Sequence, residues 1–118
     1  MNHLLTYAIY EDASQWLENN LKLANERKLH TDGEFILLWH GTSPASMKNI
    51  MKTHRFREYA WFAEDESAAR RYGMIKIQRG LPAVAMFFVH AGSVLPSGNY
   101  WTAQSELKEM PLRHGFWK

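Results

Sequence analysis

The chain has 118 residues, 46% hydrophobic and 22% charged, a balance that fits one globular domain and excludes a disordered one. Its formal charge of +2, with acids and bases interleaved, is too weak to argue for nucleic acid, although a pI near 9.0 leaves nucleic acid or another phosphate-bearing partner open. The lack of cysteine excludes disulfides, cysteine zinc sites and thiol nucleophiles, and the absence of a long apolar run or signal-peptide pattern predicts a cytoplasmic protein with no membrane partner.

Residues 4–10 mix apolar and aromatic side chains and predict a short strand. Asp12 is a helix cap with Gln15 in the capping-box position. Leu17, Leu21 and Ala24 then follow at helical spacing towards Lys28, and Thr31-Asp32-Gly33 is a turn. Residues 34–40 predict a strand ending at His40, in which Phe35 to Trp39 form a continuous apolar run, the pattern of a strand buried on both faces. Ser43-Pro44 starts a helix, serine as cap and proline at the first helical position, with Met47, Ile50 and Met51 as its buried stripe. Residues 57–63 predict a second strand. Asp65 caps a helix through Ala68 and Ala69 to Tyr72, which Gly73 stops.

Residues 74–78 predict a strand, 79–82 a turn and 83–90 a strand, with 92–98 as loop and 100–105 unassigned. Residues 106–110 and 115–117 are short closing strands. The sum is an α+β fold, a small split antiparallel β-sheet with short helices. It forms a single domain over 1–118, with an N-terminal helical segment at about 11–29 and a core at about 34–118.

The chemistry concentrates in two segments. In the first, a buried strand ends in His40-Gly41-Thr42 and passes into a capped helix. Strand ends of this kind commonly meet ligands, and glycine allows close backbone approach. Each of these residues, taken alone, also reads as ordinary structure. In the second, Trp61-Phe62-Ala63 leads into a short helix ending in Tyr72. That junction can bring both rings to one pocket, where they would hold a cationic heteroaromatic ring.

Together the segments resemble the catalytic core of the ADP-ribosyltransferases, in the diphtheria-toxin and poly(ADP-ribose) polymerase branch. The resemblance rests on His40-Gly41-Thr42, Trp61-Phe62-Ala63 and Tyr72 and covers residues 36–73. It implies an enzyme with NAD as substrate and no metal. His40 would bond the adenine-side ribose, the Gly41 backbone the nicotinamide carboxamide, and Trp61 and Tyr72 would stack on the nicotinamide. Thr42, Phe62 and Ser67 join this binding set. Trp61 stands where that branch usually has tyrosine. Ala69 stands where some members have a serine that holds the carboxamide, and Ser67 is two residues earlier.

The resemblance also asks for a late glutamate. Glu106 and Glu109 are the candidates, and Gln104-Ser105-Glu106 looks like the Gln/Glu-x-Glu motif of the arginine-modifying members, which favours Glu106. A carboxylate there stabilises the positive charge that develops on the ribose as nicotinamide leaves. Catalysis is therefore expected from His40, Glu106 and Tyr72. Among the basic residues around the middle of the chain, His54, Arg55 and Arg57 stand just before the aromatic strand, and Arg57 is taken as a pyrophosphate contact. The expected activity is transfer of ADP-ribose from NAD to a macromolecular acceptor, a protein side chain being favoured. The alternatives are an NAD glycohydrolase and an inactive module that binds a partner protein; the size also suits a small phage or toxin effector.

Overall fold

A computed structural model describes residues 16–104, 106–108 and 110–111 of the chain. Helix α1 covers residues 16–26, followed by β1 (Thr31–Asp32), β2 (Phe35–Thr42), α2 (Pro44–Thr53), β3 (Arg55–Phe56), β4 (Trp61–Ala63) and α3 (Glu66–Ile75). Then come β5 (Ala83–His90), a single turn of 3-10 helix, β6 (Val94–Ser97), β7 (Tyr100–Ala103), β8 (Leu107–Lys108) and β9 (Met110–Pro111). All pairing is antiparallel, in the order β6-β7-β4-β2-β5-β9, with β1 on β2 and a separate β3–β8 ladder. This is the expected α+β architecture with a split sheet and short helices.

The apolar runs make the centre. β2 and β5 pair along eight residues, from Phe35 opposite His90 to Thr42 opposite Ala83. Alternation then sorts side chains between two layers. Ile36, Leu38, Phe62, Phe87 and Trp101 pack in the larger core with Met47 and Ile50 of α2 and Ala24 of α1. Ala63 and Val84 pack on the other face with Ala68 and Ala69 of α3.

Local chemistry sets the helix ends. The Ser46 N–H donates to Ser43 Oγ at 3.1 Å and Pro44 opens α2, while the Ala68 N–H donates to Asp65 Oδ1 at 2.7 Å to cap α3. After α1, Lys28 turns left-handed at φ 60°, and the N–H of Leu29 reaches the Ala24 carbonyl at 2.8 Å, closing a Schellman motif.

Several expectations need correction. Residues 57–60 are not strand but a turn that shortens β4 to three residues. Gly73 does not stop its helix, which runs to Ile75, so residues 74–78 are not a strand. A Cβ on Gly73 would meet Pro82 Cβ at 2.7 Å and the Gly41 carbonyl carbon at 3.1 Å; its glycine serves close packing, not termination. The stretch 92–98, read as loop, contains β6, hairpinned to β7 through Gly98 at φ 62°. Thr31 and Asp32 pair with β2 before the turn at Gly33. In place of one strand at 106–110, residues 107–108 form β8 and residue 110 opens β9, and the two join different sheets. The expected strands at 4–10 and 115–117, the Asp12–Gln15 cap and Glu109 lie outside the described residues. Among the described residues no helix is long and apolar enough to cross a membrane.

Candidate functional site

A cleft opens where the sheet splits. β2 and β4 share one ladder pair, Trp39 opposite Ala63, and the next residues of β2 have no partner on β4. His40 fills the breach: its Nδ1 lies 2.8 Å from the Trp61 carbonyl oxygen. A carbonyl only accepts, so Nδ1 carries the proton and Nε2 is left as an acceptor. Phe56 and Phe62 wall the imidazole, with centroids 5.0 and 5.3 Å away. Burial in this aromatic box lowers its pKa to about 4, opposed by the Trp61 hydrogen bond and assisted by the Lys76 charge. His40 is therefore neutral at pH 7.

The cleft holds about 710 Å³, within the usual range for small-molecule sites, and its lining includes His40, Gly41, Thr42, Arg57, Trp61 and Tyr72. Six of the expected site residues thus meet in one place. Gly41 has a packing reason beside any ligand role, because a Cβ there would stand 1.9 Å from the Ala69 carbonyl oxygen. Thr42, at the end of β2, is half-buried.

Trp61 and Tyr72 come together as expected, but on each other. Their centroids are 5.6 Å apart and their planes 18° from parallel. A ring held between them needs two van der Waals gaps of about 3.5 Å, so the pair must part by more than 1 Å to admit one, by a rough estimate. Tyr100 meets Trp61 edge-on at 5.2 Å, and Lys76 Nζ stands 5.3 Å from the Tyr72 centroid.

The other expected residues fall elsewhere. Phe62 points into the core, 1% exposed, and meets the cleft lining through the His40 imidazole and the Phe56 ring. Ser67 is exposed on the first turn of α3, where its Oγ accepts from Arg71 Nη1 at 3.1 Å, and it does not line the cleft. Glu106 lines a second cavity of about 600 Å³, which shares Asn49, Arg55, Phe56, Arg57 and Glu58 with the first. There its Oε1 faces Arg55 Nη1 at 3.8 Å, both side chains well exposed. The carboxylate is a neighbour of the His40 cleft, not part of its lining. It is carried beside that cleft by β8, which pairs with β3 and so with Phe56.

Lys76, Tyr59 and Glu58 also line the cleft and had no place in the sequence reading of the site. Lys76 and Tyr59 were hidden by the strands expected at 74–78 and 57–63. With Arg55, Arg57 and Lys76 against Glu58, the lining holds three cations and one carboxylate among the described residues, which suits an anionic ligand. No family model and no curated protein matches the chain.

Proposed function

We propose that this cleft binds NAD and transfers its ADP-ribose to a macromolecular acceptor, a protein side chain, with release of nicotinamide. The observation that carries the reading is the convergence of His40, Gly41, Thr42, Trp61 and Tyr72 on one cleft, the residues on which the resemblance to ADP-ribosyltransferases rests. Neutral His40 offers a lone pair to a ribose hydroxyl. Trp61 and Tyr72 offer flat faces to nicotinamide, and Arg57 with Lys76 offers charge to the pyrophosphate. In the reaction the bond from ribose C1 to nicotinamide breaks, its electron pair leaving with neutral nicotinamide. A nucleophilic atom of the acceptor bonds to C1 and gives up a proton to solvent. Glu106, from the adjoining cavity, would face the positive charge that builds on the ribose.

A second reading, NAD binding without turnover, is favoured by one specific arrangement: Glu106 is held by Arg55 at the edge of the His40 cleft, and among the described residues no carboxylate other than Glu58 lines that cleft. Nicotinamide release from labelled NAD, measured with and without cell lysate, separates the two. Turnover that falls on the order of 10²-fold in Glu106→Gln supports transfer, and an ADP-ribose adduct on a lysate protein distinguishes it from hydrolysis. Binding with no release favours the second reading. Calorimetry showing no NAD binding at millimolar concentration would remove both.

A further inference from the structure

We propose that Tyr59 is the stacking platform for a purine base, the adenine of the nucleotide, at the lip of the cleft. This rests on the assignment of NAD to that cleft. The argument begins in the backbone. The N–H of Ala60 donates to the Arg57 carbonyl at 3.1 Å, closing a four-residue turn in which Tyr59 is third, at φ 66°. That position normally takes glycine, because a side chain there crowds its own backbone. Two further bonds hold the conformation: Tyr59 N–H to the Ala103 carbonyl, and Ala103 N–H to the Ala60 carbonyl, each 2.9 Å. β7 thus forces a bulky residue into a strained turn, and such strain persists mainly where function uses it.

The fold gains little packing from this ring. Tyr59 is 64% exposed. Trp61, Tyr72, Phe56 and Phe62 of the same region each rest against another ring, whereas Tyr59 has no ring partner among the described residues. It nevertheless lines the cleft with His40, Trp61 and Tyr72. Arg57, two residues before it on the same wall, forms no ion pair among the described residues. A fixed bare aromatic next to an uncommitted guanidinium is the pairing that recognises a base and its phosphate. A dinucleotide brings two flat rings. Trp61 and Tyr72 take one, and Tyr59 takes the other.

Calorimetric titration of the full chain with AMP, NAD and nicotinamide mononucleotide tests the assignment. Tyr59→Gly should weaken AMP and NAD about tenfold, the loss of one base stack, and leave nicotinamide mononucleotide unchanged. Because glycine accepts the positive φ, this variant should melt no lower than the wild type. Tyr59→Phe, which keeps the ring, should bind all three like the wild type. Unchanged AMP affinity in Tyr59→Gly overturns the platform and leaves the NAD reading standing. So does an equal loss of nicotinamide mononucleotide, which would mean general damage to the cleft. A wild-type protein that binds none of the three overturns both.

Discussion

His40 owes its character to its surroundings: two phenylalanine rings, a backbone carbonyl and almost no solvent. Folded, it resists protonation until pH about 4, whereas an unfolded histidine takes up its proton near 6.5. Between those values the unfolded state binds more protons, so falling pH favours unfolding. The contribution is complete above pH 6.5 and lost as pH falls towards 4, to a total of roughly 3 kcal/mol. His40→Gln does not titrate, so urea denaturation at pH 7.5, 6 and 4.5 should show the wild type losing stability relative to that variant. Parallel pH profiles would show that burial does not suppress this charge. That the imidazole, Gly41, Trp61 and Tyr72 would meet in one cleft was legible in the sequence because each lies within or at the edge of an element with a strong local pattern. Tyr59 and Lys76 were not, because their place depends on a backbone turn held by β7 and on a helix that continues through a glycine.

That glycine and its opposite number govern how α3 meets β2. Helix and strand are in backbone contact at Gly41 and Gly73, with no room for a methyl group on either: the nearest atoms would be 1.9 and 2.7 Å away. The atom opposing Gly41 is a carbonyl oxygen within α3, which cannot yield without moving the helix. Gly41→Ala should therefore cost about 3 kcal/mol or more, measured by chemical denaturation. Gly33 has open space around it and only a positive φ of 59°, so Gly33→Ala should cost nearer 1 kcal/mol. Equal costs would refute the account of close packing. The same contact explains why pattern reading failed here. Glycine after a short helix resembles a stop, and only the tertiary approach of β2 reveals a packing role. β6 escaped notice for a different reason. Pro96 and Ser97 look like loop, but an edge strand tolerates proline because one side of it needs no ladder bonds. The long apolar runs of β2 and β5 and the capped start of α2 carried their signals within a few neighbouring residues, and the structure forms them as expected.

Across the whole molecule, the cleft lies between two sheet portions that share a core but few backbone links. β5, β2 and β9 stand on one side, and β4, β7 and β6 on the other. Between β2 and β4 there is one ladder pair and the His40–Trp61 hydrogen bond. Helix α1 straps the rest. Buried Asn20 donates to the Ala91 and Val94 carbonyls at 2.8 Å each, at the bend from β5 to β6. Arg27 pairs with Glu64 at the end of β4 and donates to the Gly98 carbonyl at 2.8 Å. A nucleotide in the cleft would touch His40 and Thr42 on one portion and Trp61 on the other, adding a link where the sheet has few. Bound only by the folded chain, it stabilises by mass action, about 2.7 kcal/mol at a hundredfold excess over Kd. For a chain of this length that is roughly 10 °C in Tm. Melting with increasing NAD should show this rise, and His40→Ala should shrink it, because the variant loses both the acceptor and the bond that closes the breach. A rise of the same size in His40→Ala would place the ligand away from the split, and hydrogen exchange at residues 40–42 and 61 would then remain unprotected.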